Sequence, residues 1–231
     1  MDIRFSGVTK IFHPDITALE DIYLEIPKGE FVYLVGPTGS GKTTLLRCIT
    51  REVSPTRGQI TVGSFSLRKI SRVDLSYFRR DIGIVFQDFC LLPHLTVFEN
   101  VAFVLEVVGA PPREVKERTG EVLDQVGLWY RRAWYPPQLS GGEQQRVAVA
   151  RAIVGTPAIL IADEPTGNLD LHMAEEILNL LISINEFGTT VIMATHNQHL
   201  VDTYRQRVVA IHTGRVARDE KLGRYELDGR P

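Results

Sequence analysis

Cysteine is scarce in this chain, with Cys48 and Cys90 the only two in 231 residues. They stand far apart and outside any metal-ligand spacing, so reduced thiols are expected rather than a disulfide framework or a thiolate site. A long apolar run is also missing. The best candidate, Val97 to Ala110, is interrupted by Glu99, Asn100 and Glu106, and it falls short of the roughly 20 apolar residues that a bilayer requires. Met1-Asp2-Ile3-Arg4-Phe5 has no apolar stretch of the signal-peptide kind. Charge of one sign is not in excess either: 26 basic residues face 28 acidic ones, so no global field argues for nucleic acid. Repeats and low-complexity tracts are absent. Any membrane role must therefore run through a partner.

What remains is an ordinary globular composition, 44% hydrophobic and 23% charged, which excludes a disordered or fibrous chain. Its length suits one domain with subdomains. Short apolar runs bounded by turn residues recur at Phe31–Val35, Ile82–Phe86, Ala158–Ala162, Thr190–Ala194 and Val208–Ile211. They read as buried strands of a largely parallel sheet. Between the third and fourth, Met173, Ile177, Leu180, Leu181 and Ile184 recur at helical spacing, and Gly188 supplies a stop. That is a βαβ unit, so the core is α/β. Ile3–Val8, Ala18–Ile26 and Gln59–Val62 alternate in the manner of antiparallel strands. From about Phe89 to Ile153 the pattern is helical, broken at Pro111-Pro112 and Pro136-Pro137. The expected division is a sheet core of residues 1–88 and 154–231, with a helical insertion at 89–153.

Gly36-Pro37-Thr38-Gly39-Ser40-Gly41-Lys42-Thr43 fits G-x-x-x-x-G-K-[ST], directly after a strand and before a helical segment. Glycines let successive N–H groups converge on phosphate oxygens, and the helix start adds its positive end. Lys42 is expected on the β- and γ-phosphates, Thr43 on Mg²⁺ and Thr44 on the α-phosphate. The apolar strand Ile159–Ala162 then ends in Asp163-Glu164. A carboxylate at such a strand end sits where open α/β sheets bind ligands. Asp163 is expected beside Mg²⁺, and Glu164 on the water that attacks the γ-phosphate.

Leu139-Ser140-Gly141-Gly142-Glu143 opens a further helix, with the S-x-x-E spacing of a capping box. Its two glycines clear side chains from a helix start that could meet an anion. With the motifs above, this segment resembles the signature of the ABC-transporter ATPase family, and the likeness runs from about Ile3 to Arg215. The resemblance implies a P-loop, RecA-like α/β core with an antiparallel β subdomain and an inserted α-helical one. It implies a homodimer in the ATP-bound state, in which Ser140, Gly141 and Gly142 of one copy grip the γ-phosphate bound to the other. It also implies that Phe12 stacks on adenine, that Gln87 touches Mg²⁺, and that His196 contacts the γ-phosphate and positions Glu164. Asn168-Leu169-Asp170 matches the loop that communicates between the two sites, and Asp170 equally suits the N-cap of the next helix.

Within the family, Val85-Phe86-Gln87-Asp88-Phe89, Leu91-Leu92 and Leu95–Val101 resemble the cell-division branch, whose ATPase works with the membrane protein FtsX. Ala162 to Asp170 agrees, but is shared with lipoprotein-release and macrolide-export ATPases. The implied protein is peripheral at the cytoplasmic face of the bacterial plasma membrane and relays ATP-driven motion towards peptidoglycan hydrolysis. Phe89, Leu91, Leu92, Leu95 and Val97 either line a groove for a helix of that partner or pack the helical insertion.

Overall fold

The computed structural model describes residues 1–225. An antiparallel sheet opens the chain: β1 (Ile3–Phe12), β2 (Ile16–Ile26), then, after β3 (Phe31–Val35) and α1 (Lys42–Ile49), β4 (Arg57–Val62) and β5 (Phe65–Ser66). Its strand order is β2-β1-β4-β5. After α2 (Arg72–Arg80) and β6 (Ile82–Val85) come three helices, α3 (Val97–Val107), α4 (Pro112–Gln125) and α5 (Gly141–Ile153). The chain returns to sheet with β7 (Ile159–Asp163), α6 (Leu171–Glu186), β8 (Thr190–Ala194), α7 (Gln198–Thr203), β9 (Arg207–His212) and β10 (Arg215–Glu220). The second sheet has the order β10-β9-β3-β8-β7-β6, parallel except for β10 at one edge.

Both faces of this sheet are covered, which is why its strands read as unbroken apolar runs rather than alternating ones. The period of two still divides them. Phe31, Tyr33 and Val35 join the core beneath α3 to α6, with Leu160, Val191 and Val208. Val32 and Leu34 join Leu45 and Ile49 of α1 and the apolar face of the antiparallel sheet. Helix α6 turns Ala174, Ile177, Leu178, Leu181 and Ile184 inward, so the buried stripe lies slightly off the one that the sequence suggested. Met173 and Leu180 sit at its margins.

Strand order is what builds the site. Leu34 pairs with Ala194, Ala194 with Asp163, and Ala162 with Val85, so the C-terminal ends of β3, β8, β7 and β6 lie side by side. The loops that leave those four ends carry Lys42, His196, Glu164 and Gln87 respectively.

Candidate active site

The loop after β3 is shaped by close backbone approach. Gly36 has φ 149°, and a Cβ there would lie 2.2 Å from the Ile211 carbonyl oxygen and 2.7 Å from Ser40 Oγ. Gly41, at φ 112°, would bring a Cβ to 2.5 Å from the Ala18 carbonyl. No side chain fits at either place. The loop is pinned by Ser40 N donating to Pro37 O at 3.1 Å and by Gly214 N donating to Ser40 O at 2.9 Å. Lys42 is buried along its stem, and its Nζ donates to Gly36 O at 2.7 Å and to Pro37 O at 3.2 Å. Its charge is thus held over the loop by two carbonyls. The Ser40 hydroxyl is buried with no hydrogen-bond partner among the described residues. Pro37, Thr38 and Gly39 are exposed around the mouth of this loop, and Thr43 and Thr44 follow in the first turn of α1.

Asp163 closes β7 against that turn and accepts a hydrogen bond from the Thr43 hydroxyl. Burial pushes its carboxyl above the usual range, and the neighbouring Glu164 charge adds to this. The Thr43 hydrogen bond, Lys42 and Arg47 oppose it. Glu164 takes up a left-handed backbone, φ 52°, with its N–H donating to Ala194 O at 2.9 Å. Its Oε2 meets His196 Nδ1 at 2.8 Å and the His196 N–H at 3.3 Å. The Glu164 side chain is 16% exposed and the imidazole 67%, so the acid is sheltered and the ring opens outward.

The donor set suits a hard divalent cation: a hydroxyl beside a half-buried carboxylate, a second carboxylate whose charge crowds it, and the Gln87 amide near by. Gln87 lies against Gly167, where an added Cβ would sit 3.0 Å from its Nε2, and its carbonyl accepts from Asn168 Nδ2 at 3.2 Å. The loops after β6 and β7 are thereby tied together. Asp170 is the N-cap of α6, accepting from Met173 N at 2.9 Å.

Ser140 caps α5 with both halves of a capping box: Glu143 N donates to Ser140 Oγ at 3.3 Å and Ser140 N to Glu143 Oε2 at 2.9 Å. Around this turn, added Cβ atoms at Gly141 and Gly142 would meet Leu169, Phe89 and Met173, none of which belongs to the phosphate loop. Phe12 stands at the end of β1, 37% exposed, with Lys10 Nζ 4.7 Å from its ring centroid. It lies on the strand pair whose Ala18 backs Gly41.

Two residues that the motifs did not reveal organise the segment after Gln87. Asn100, fully buried, accepts from Leu92 N at 2.8 Å and donates to the carbonyls of Leu92, Leu95 and Thr96, each at 3.0 Å. Arg151 reaches from α5 to the Cys90 and Phe89 carbonyls at 2.6 and 3.0 Å, both residues having positive φ. Asn100 had stood out in the sequence only as a polar break in an apolar run. Of the five residues open to either a groove or the packing of the helical insertion, Leu92 borders a groove, whereas Val97 is fully buried and Leu91 packs on the core. The N-terminal turn of α3 faces inward, which removes Val97 from any surface.

The ABC transporter family profile matches residues 19–167, more than half of the chain. The chain is 50% identical to the cell-division ATP-binding protein FtsE of Streptococcus pneumoniae strain D39, over 226 residues that cover 98% of each. It is 51% identical to FtsE of Bacillus subtilis strain 168, over 96% of this chain and 98% of that protein. Among solved structures, the dimeric cassette MJ0796 bound to ADP and phosphate aligns with a TM-score of 0.86 at 38% identity, covering 96% of this chain and all of that one. With the family profile covering more than half of it and relatives about 50% identical over nearly its whole length, the chain belongs to the ABC transporter family, as an ATP-hydrolysing cassette of the cell-division type.

Proposed function

We propose that two copies of the chain close head to tail on two molecules of Mg-ATP and, on hydrolysis, drive an FtsX-like membrane protein in cell division and peptidoglycan hydrolase activation. The protein would lie at the cytoplasmic face of the bacterial plasma membrane; none of its described helices is long and apolar enough to cross a bilayer.

The carrying observation is a division of parts. Lys42, Thr43, Asp163, Glu164 and His196 converge at one sheet edge, while the Ser140–Gly142 turn packs on Phe89, Leu169 and Met173. A second copy would supply that turn, and a twofold axis would give two equivalent sites. Lys42 and the loop N–H groups would hold the triphosphate, with the exposed Phe12 as a stacking surface for the base. Thr43, Asp163 and Gln87 would hold Mg²⁺, which would help neutralise the charge of the triphosphate. Glu164 would accept a proton from the attacking water while His196 fixes its carboxylate. Asn168 joins the two loops beside it, and Asp170 caps the helix that follows.

For the membrane partner, support comes from a groove of about 640 Å³ between α2, β6, α3 and α5. Phe86, Leu92, Phe103 and Val108 line it, with Arg79 and Arg151. Such a surface suits one amphipathic helix. Phe103 is 44% exposed, so a charge there is tolerated by the fold. Phe103→Asp should still bind ATP yet no longer bring an FtsX-like chain with it from membranes. Retained co-purification would remove the groove from the proposal.

The two-copy reading is tested separately by sedimentation of Glu164→Gln with and without Mg-ATP. A nucleotide-dependent dimer is expected, and a monomer at saturating nucleotide would end it.

A further inference from the structure

Glu143 presents a difficulty that its neighbours resolve. A carboxylate at the third position of α5 completes the cap and suits the helix dipole. At a helix start that must receive a phosphate, however, the same negative charge opposes the anion. An uncharged glutamine would complete the cap equally well.

The charge is met by the turn that precedes the signature. Arg131, from a tight turn at Trp129–Arg131, places Nε 3.2 Å from Glu143 Oε1, and the Tyr130 hydroxyl donates to the same oxygen at 3.3 Å. Oε2 is left to the Ser140 N–H. The guanidinium is itself fixed, stacked 3.5 Å from the Trp134 ring centroid. Arg131 and Glu143 are only 27% and 17% exposed, so solvent screens this pair less than it would a surface one. The turn is anchored to the start of α3 as well, since Val97 N donates to Trp134 O at 2.7 Å and Phe98 N to Arg132 O at 2.9 Å. Burial would raise the Glu143 carboxyl. Its hydrogen bonds from Ser140 and the Arg131 charge outweigh that and hold it below the usual range, so it stays ionised and paired.

We infer that Arg131 is a positioning residue of the signature turn: it cancels the Glu143 charge and fixes the carboxylate against Ser140, leaving Ser140–Gly142 free to receive a terminal phosphate held by a second copy. This rests on the two-copy reading above.

The test uses the full chain in the Glu164→Gln background, with Mg-ATP-dependent dimerisation read by sedimentation. Arg131→Gln keeps most of the side-chain length but loses the charge, and should weaken the dimer about tenfold, as expected for one charge-assisted contact. Arg131→Lys keeps the charge but gives up the stacking on Trp134, so it should bind clearly better than Arg131→Gln without matching the parent. The double variant Arg131→Gln with Glu143→Gln should recover most of the loss, since no charge then needs cancelling. Affinity for a fluorescent ATP analogue at low protein concentration, where each copy binds alone, should be unchanged throughout. If Arg131 only packs Trp134, lysine will be as poor as glutamine and Glu143→Gln will rescue nothing; either result overturns the inference. A parent that never dimerises overturns the two-copy reading instead.

Discussion

Glu164 Oε2 lies 2.8 Å from His196 Nδ1, although 32 residues and the whole of α6 separate them in the chain. The contact exists because β7 and β8 are neighbours, with Asp163 paired to Ala194, so both loops leave the sheet at one level. Glu164 pays for the approach with a left-handed backbone, held by its N–H on Ala194 O. Glu164→Gln should keep ATP binding and lower turnover by about 10²–10⁴-fold, the usual worth of a positioned general base. His196→Ala should lower it by less, since the acid remains but loses its orientation. The double variant should be no worse than Glu164→Gln alone, because both act through one carboxylate. Phosphate release at saturating ATP measures all three, and additive losses would separate the pair.

Lys42 is bound to two loop carbonyls, so its loss changes both charge and shape. Lys42→Ala should weaken ATP binding by about 100-fold or more, the order expected when a partner of a sheltered, hydrogen-bonded charge is removed. Adenosine, which lacks phosphates, should bind the variant and the parent alike. Fluorescence titration with both ligands checks this, and equal losses would mean that the loop had collapsed.

Asp163 carries a penalty that its proposed place beside Mg²⁺ would require. Its carboxyl is raised in the folded protein, chiefly by burial, so the ionised form is less favourable there than in the unfolded chain. Stability from this group is therefore greatest below the unfolded aspartate value, about 3.9, and is lost as pH rises through the folded value. Asp163→Asn should raise the melting temperature by a few degrees at neutral pH, and the gain should fade as pH drops towards 4. Hydrolysis should be abolished at every pH, consistent with strain kept at a working site. Melting curves across pH without nucleotide or metal check the sign; a gain that grows on acidification would contradict it.

The parts legible in the sequence were those written locally. The phosphate loop, the S-x-x-E cap at Ser140 and the Asp163-Glu164 strand end each declare themselves within a few residues. So does the parallel sheet, because burial on both faces leaves its strands apolar throughout. What stayed hidden depends on pairings that no spacing encodes. Gly36 packs on Ile211, Arg151 holds the carbonyls of Phe89 and Cys90, and Arg131 reaches Glu143 across a turn. Val97 reads as a surface residue or a core one with equal ease, since the direction in which α3 faces is set by packing against α4 and α5.

Asn100 is the strongest case of a residue whose importance only the fold reveals. Fully buried in α3, it accepts from Leu92 N through Oδ1 and shares the two hydrogens of Nδ2 among the carbonyls of Leu92, Leu95 and Thr96. Removing it would leave Leu92 N and Leu95 O without that partner, whereas Leu92 O keeps Leu95 N and Thr96 O keeps Asn100 N; a half-buried group left unpaired costs more than its bond contributes. Asn100→Ala should therefore destabilise the protein by about 2–4 kcal/mol, in the upper range for single substitutions. Asn100→Asp keeps the bond from Leu92 N but turns a negative charge on three carbonyl oxygens. It should be at least as harmful at neutral pH and milder where the carboxyl is protonated. Urea unfolding at pH 7.5 and near pH 4 separates the two variants. Because the segment carries Leu92 into the groove and follows Gln87, both variants should also lose coupling to the proposed membrane partner before they lose ATP binding. A variant that is as stable as the parent would show that water satisfies these groups and that Asn100 is dispensable.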